Sequence, residues 1–279
     1  MTVLWPVTIG LVVSLGLSWL GHRLGTHALS GVLAMIACYL ISAFGGGLVC
    51  GALVLLFFSS TIAWSHFGRD SKAIPLDRLL GQARIRWQQV TAQLGWGCVL
   101  ALLSILGRHG VGFTAAFVGV IAVATADTWA TEIGVMSRHQ PSLVNSGRPV
   151  PAGTPGAVSL LGLVSAAGGA WLVGFAALAF YFIIALIGEQ PWMGVLLWLP
   201  TGALLGGLVG SVVDSFLGAV AQWMYYCEHC QRASEDAVHT CGLPARQTRG
   251  WAWLTSQGVD VVGSLVSAAI TTSCVLLAR

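Results

Sequence analysis

The stretch TADTWATEIG, Thr125–Gly134, sets two carboxylates, Asp127 and Glu132, in a segment that otherwise reads as membrane-spanning. An acid at mid-helix costs about 2.5 to 3.5 kcal/mol on insertion scales. No Lys or Arg within the segment is at hand to pair with either of them. What offsets that cost decides whether the chain is a plain helical bundle or one built around a polar site.

Outward from this stretch, 56% of the 279 residues are hydrophobic and 8% are charged, which places the chain among polytopic membrane proteins. Apolar runs predict about eight transmembrane helices: Val3 to Leu20, Ala28 to Phe44, Leu48 to Trp64, Val90 to Leu106, Val111 to Met136, Gly156 to Ile187, Trp192 to Trp223 and Trp251 to Ala278. The last four exceed what a bilayer requires, so they are expected to tilt or break, with Gly168-Gly169 and Pro200 as the breaking points. No basic residue precedes the first run, which points to a retained helix rather than a cleaved signal. The expected fold is an all-α polytopic membrane helix bundle forming a single integral membrane domain over 1–279.

Alternation of eight helices puts 11 basic residues on one side: Arg23, Arg69, Lys72, Arg78, Arg84, Arg86, Arg138, Arg148, Arg232, Arg246 and Arg249. Arg108 and Arg279 are left for the other. The positive-inside rule then makes the 11 cytosolic and puts both termini on the non-cytosolic side. The net charge of +3 is a topology signal, and no nucleic-acid partner is expected.

Two further acids lie in apolar runs, Asp214 in GSVVDSFLGA and Asp260 in SQGVDVVGSL. Counted from the expected cytosolic ends at Met136, Trp223 and Trp251, Asp127, Asp214 and Asp260 would each lie about 13 Å inward, with Glu132 nearer the surface. Gly207, Ser211, Asp214, Ser215, Gly218 and Gln222 form one small polar stripe, and Gln257, Asp260, Ser264 and Ser267 another. Asp127 with Thr131, and Thr128 with Glu132, are adjacent pairs one turn apart. Such stripes are ordinary helix-packing seams for the glycines and serines. They leave the acids unexplained, whereas carboxylates and hydroxyls converging in a cytosol-facing cavity are what oxygen-ligated Mg²⁺ requires, commonly together with substrate phosphates.

Between the last two helices, within 224–250, CEHCQRASEDAVHTC holds Cys227, Cys230, His239 and Cys241. Three thiolates and an imidazole at this spacing can close a tetrahedral Zn²⁺ site, with His229 as an alternative to His239; free thiols in an open loop are the competing reading. Cys38, Cys50, Cys98 and Cys274 fall in apolar helices as packing residues.

ATADTWATEIG, SLVNSGRPVPAGTPGAVSLLG, GLVGSVVDSFLGA and WLTSQGVDVVGSL, in this order, resemble the membrane family that includes the phytyl-phosphate kinases of vitamin E biosynthesis and transmembrane protein 19, long catalogued as a domain of unknown function. LSGVLA, the FFSS of Phe57 to Ser60 and RIRWQQVTAQLG extend the resemblance over nearly the whole chain. Around Asp260 the family usually carries asparagine, where this chain has Gln257, Gly258 and Val259. The resemblance implies phosphoryl transfer from a nucleoside triphosphate, CTP in the plant enzymes, to an isoprenyl monophosphate such as phytyl phosphate. Such chemistry needs positioning and charge neutralisation more than a strong base. It implies Asp127, Glu132 and Asp214 as Mg²⁺ ligands, Asp260 as a further catalytic acid, and Arg84, Arg86, Arg148, Ser211 and Thr128 as phosphate or nucleotide contacts. For Arg84 and Arg86 topology-setting charge is an equal explanation. Arg148 is favoured by the turn-rich SGRPVPAGTPG just before a helix. The alternative function is an ion- or proton-coupled transporter with buried acids near mid-membrane.

Overall fold

A computed structural model describes residues 4–67, 84–106, 110–188, 194–230, 232–234, 237–239 and 241–278. Among them are eight helices: α1 (Leu4–Arg23), α2 (Leu29–Gly45), α3 (Leu48–His66), α4 (Trp87–Ile105), α5 (Val111–Gly134), α6 (Leu160–Leu186), α7 (Leu199–Val220) and α8 (Ser256–Leu277). All eight expected segments are therefore helical. Six are long and apolar enough to cross a membrane, the α7 span including the preceding 3₁₀ turn, and α2 is a shorter apolar helix of 17 residues. The exception is α4, which carries Gln88, Gln89, Thr91 and Gln93 in its first two turns. The chain is a multi-pass integral membrane protein.

Helix α5 is the centre of the bundle. Every residue from Phe117 to Ala126 is buried, as expected of a helix apolar on all sides, and it packs against α3, α4, α6, α7 and α8. Missing side chains let its neighbours approach. A Cβ at Gly207 of α7 would stand 3.1 Å from the Ala122 backbone, and one at Gly119 would stand 2.7 Å from the Ser267 carbonyl of α8. Hydroxyls then bond across these seams: Ser267 donates to the Gly119 carbonyl at 2.7 Å and Thr271 to the Gly202 carbonyl at 3.1 Å. The outer ends of the two polar stripes, Gly207 on α7 and Ser264 and Ser267 on α8, are thus packing seams.

Gly168-Gly169 does not break its helix, because α6 runs unbroken through it. Gly169 instead makes room for Trp129, which a Cβ there would approach to 3.1 Å. Pro200 does mark a change: Gly194–Trp198 is a 3₁₀ turn and Pro200 sits in the first turn of α7, where its missing N–H is no loss.

One end of the bundle gathers the connections that matter. His27 bridges to Ile85, Ser159 donates to the Gly134 carbonyl at 3.4 Å, and Trp223 and Trp251 close the α7–α8 connector by bonding to Leu254 and Ala221. This connector forms a three-stranded sheet ordered β4-β3-β5, with β3 Met224–Cys227, β4 Arg232–Ser234 and β5 Arg246–Arg249. A two-stranded ribbon, β1 (Ser142–Leu143) with β2 (Ala157–Val158), carries the α5–α6 connection. Arg23, Arg84, Arg86, Arg138, Arg148, Arg232, Arg246 and Arg249 all lie at this end; Arg69, Lys72 and Arg78 fall outside the described residues.

The helix ends correct the expected depth of the acids. The helices stop at Gly134 and Val220 and start at Ser256, not at Met136, Trp223 and Trp251. Those outer residues belong to the connecting segments, where the main-chain N–H groups of Trp223 and Trp251 find partners outside the helices. Asp127, Asp214 and Asp260 consequently lie about 6 to 10 Å from the helix ends, shallower than the expected 13 Å.

Candidate functional site

Asp127 follows the fully buried stretch of α5, Asp214 lies in the second half of α7 and Asp260 in the second turn of α8. One carboxylate oxygen from each lies within 4.8 Å of the other two. Three ionised carboxylates at that spacing repel by roughly 3 kcal/mol per pair at an effective dielectric near 20, so the arrangement favours a shared cation. Their oxygens are the hard donors Mg²⁺ takes, and cis and trans ligands of a six-coordinate ion bonded at about 2.1 Å stand some 3 to 4 Å apart. The donor set fits Mg²⁺.

The acids form one side of a cavity of about 310 Å³. Ser211, Ser215 and Gly218 continue the α7 wall, with Gln222 just beyond its end, and Thr131 and Gly134 the α5 wall. The loop Ala152-Gly153-Thr154-Pro155-Gly156 also lines the cavity, leading through β2 into the first turn of α6. Gly153 and Gly156 have φ of +87° and +82°, which favours glycine. At Gly156 a side chain would also strike the backbone of Ala219, since the loop lies directly on α7. Ser159 caps α6, its hydroxyl accepting from the Gly162 N–H at 3.0 Å, and Thr255 accepts from the Gly258 N–H at the start of α8. The N-terminal turns of α6 and α8 both line the cavity, bringing the positive ends of two helix dipoles to it.

The remaining expected residues divide. Ser211 is buried in the cavity wall. Glu132 does not join the three-acid group: five residues beyond Asp127 it is turned about 140° around the helix, is buried toward α3 and accepts from Ser65 at 3.3 Å. Thr128, one residue from Asp127, is likewise off the cavity wall. Arg148 is exposed on the ribbon turn, where its carbonyl accepts from the Leu143 N–H at 2.9 Å. Arg84 and Arg86 are exposed at the entrance to α4, held beside the α1–α2 corner by the Ile85 bridge. None of these three arginines lines the cavity.

Arg249, counted from sequence only as loop charge, has a structural role. Its guanidinium donates to the Ala219 and Gly218 carbonyls at the end of α7, and to Pro155 of the glycine-rich loop at 3.4 Å. Burial pushes its pKa below the usual arginine value. It ties α7, the loop and β5 together, and no local motif announces this.

In the α7–α8 connector Cys227, Cys230, His239 and Cys241 also come together, each offering a ligand atom within 4.8 Å of the others. His239 is the histidine of this group, and His229 is not. Backbone N–H groups, that of Cys230 foremost, hold the Cys227 thiol below its ordinary pKa, whereas hydrogen bonding to Cys241 pushes Cys230 up to about 11.

Comparison with known proteins agrees with this architecture. The family described as Integral membrane protein DUF92 matches residues 12–268. Protein PGR of Arabidopsis thaliana is 30% identical over 242 residues, 82% of each chain. Uncharacterized membrane protein MJ0933 of Methanocaldococcus jannaschii is 32% identical over 172 residues, 60% of this chain and 63% of its own. No solved structure matches.

Proposed function

Since the chain belongs to the DUF92 family of integral membrane proteins, we propose that it is a Mg²⁺-dependent phosphotransferase that converts an isoprenyl monophosphate, such as phytyl phosphate, to the diphosphate. CTP is the proposed donor, and the cytosolic membrane face the proposed location. The observation that carries this reading is the pairing of Asp127, Asp214 and Asp260 with a glycine-rich loop and two helix N-termini in one cavity. Carboxylates alone suit a cation, and helix N-termini alone suit an anion. Lining one cavity together, they suit a metal-bound polyphosphate.

In the reaction an oxygen of the acceptor monophosphate forms a bond to the terminal phosphorus of the nucleotide. The bond from that phosphorus to its bridging oxygen breaks, and the nucleoside diphosphate leaves. The acceptor needs no deprotonation by a strong base, since it is already anionic. Mg²⁺, when bound, neutralises charge on the transferring group. Asp127, Asp214 and Asp260 would hold the ion, directly or through water. Main-chain groups of Ala152–Gly156 and the capped start of α6 would orient phosphates, and Ser211 can donate to one. Arg148, exposed on the connection that carries this loop, is a proposed further phosphate contact, since its planar fork suits phosphate. The shallow depth of the acids keeps the reacting phosphates at the interface while the isoprenyl chain remains in lipid.

Purified protein in liposomes, given Mg²⁺, terminally labelled CTP and phytyl or geranylgeranyl phosphate, is expected to transfer label to the lipid product. Absence of transfer from any common nucleoside triphosphate to either acceptor would overturn the reading. Cation- or proton-driven flux without label transfer would establish the transporter in its place.

A further inference from the structure

Among its described residues the α7–α8 connector buries few apolar side chains, chiefly Met224 and Leu254. Its sheet consists of strands of three or four residues, and small isolated sheets of this kind are marginal in water. Yet Cys227 and His239 are buried within it. Four side chains of metal-ligand type converge there: Cys227 at the end of β3, Cys230 on the turn after it, and His239 and Cys241 on the return toward β5.

Their geometry matches a closed tetrahedral ion. Two thiolates bound to Zn²⁺ at about 2.3 Å stand some 3.8 Å apart, and Cys227 Sγ lies 3.7 Å from Cys241 Sγ. His239 Nδ1 lies 3.3 Å from the same Cys241 sulfur. The backbone supplies the tight return that presents the second pair: the His239 N–H donates to the Leu243 carbonyl and the Gly242 N–H to the His239 carbonyl, with Gly242 at φ +82°. Three thiols and an imidazole exceed what one disulfide would use, and four protein ligands leave no open position for catalysis.

We propose that Cys227, Cys230, His239 and Cys241 bind one structural Zn²⁺, and that the zinc-closed connector sets how α7 and α8 meet. The mechanical path is short. β3 begins just after α7 and pairs with β5, whose last residue, Arg249, grips the α7 carbonyls and the glycine-rich loop. Gly250 packs on the Gln222 carbonyl, and Trp223 bonds to Leu254 immediately before α8. Zinc therefore acts on the spacing of Asp214 and Asp260 without touching substrate.

Elemental analysis of protein grown in zinc-supplemented medium and purified without chelator or metal-affinity tag is expected to show one zinc per chain. Cys227→Ser and Cys230→Ser should drop to background zinc and melt at lower temperature, whereas His239→Cys, which retains four ligands, should keep the metal. Background zinc in the wild type, or full zinc in both serine variants, overturns the site, and iron in its place overturns the metal assignment. Should the serine variants fail to accumulate, mercurial titration of the wild type should release zinc to a chromogenic indicator in step with thiol modification. Titration without release is a refutation. The coupling rests on the Mg²⁺ reading above and has its own measurement: zinc-free protein should need about tenfold more Mg²⁺ for half-maximal thermal stabilisation. An unchanged Mg²⁺ requirement refutes the coupling, independently of zinc content and of any kinase assay.

Discussion

Asp127, Asp214 and Asp260 repel one another when ionised and uncoordinated, so removing one charge relieves strain while removing a ligand. Asp127→Asn and Asp214→Asn should therefore fold, melt at or above the wild-type temperature without Mg²⁺, and lose the gain in melting temperature that Mg²⁺ gives the wild type. Label transfer should fall by about 100-fold or more, the scale of losing a group that stabilises transition-state charge. A lower melting temperature without Mg²⁺ would make these acids structural. Glu132 is the control. It accepts from Ser65 of α3, so Glu132→Gln is expected to cost about 1 kcal/mol of stability while leaving turnover within tenfold, as read from paired melting and transfer assays.

The α5–α6 connection works through its backbone. Gly153 and Gly156 share a left-handed conformation, but a Cβ at Gly153 meets open space and one at Gly156 meets Ala219. Gly153→Ala should cost about 1 kcal/mol of backbone strain, whereas Gly156→Ala should push the loop off α7 and raise the nucleotide KM at least tenfold. Equal effects of the two changes in steady-state kinetics would remove the loop from the phosphate site. The α1–α2 corner offers a pH test. His27 is fully buried, 2.8 Å from the Thr26 hydroxyl, and burial lowers its pKa from 6.5 to about 4. The unfolded chain then binds the extra proton first, so this contribution is complete above pH 6.5 and is lost as pH falls toward 4. Melting temperature should drop across that window, and His27→Gln should flatten the drop.

Across the whole molecule, the basic connections and the acid cavity share one end of the bundle, which makes their side of the membrane a single question. The positive-inside rule predicts that this end is cytosolic, as the proposed function requires. Ser146→Cys, on the exposed ribbon turn, should react with an impermeant thiol reagent only after permeabilisation. Leu106→Cys, exposed at the opposite end, should react in intact cells. Reaction of Ser146→Cys from outside would place the nucleotide site away from the cytosol and defeat the proposed function.

Eight helices were legible in the sequence because spanning length and hydropathy are local quantities, and a bilayer demands both. The segregation of Arg and Lys among connections was legible for the same reason, and so were the four acids, each a local anomaly in an apolar run. The common depth of Asp127, Asp214 and Asp260 was legible too, but not that Asp260 rather than Glu132 completes the three-acid group. Asp260 joins Asp127 and Asp214, and Glu132 turns to α3, because partners are chosen by the rotation of α5 against its neighbours. Glycines such as Gly119 and Gly207 set that packing only once the helices touch. The value of that depth was misjudged from sequence, since Trp223 and Trp251 read as apolar helix residues, whereas their N–H groups bond to the Leu254 and Ala221 carbonyls across the connector ends. The role of Arg249 depends on three segments distant along the chain, Pro155, Gly218–Ala219 and β5, arriving at one point. No periodicity or motif encodes that meeting; close packing of the folded chain decides it.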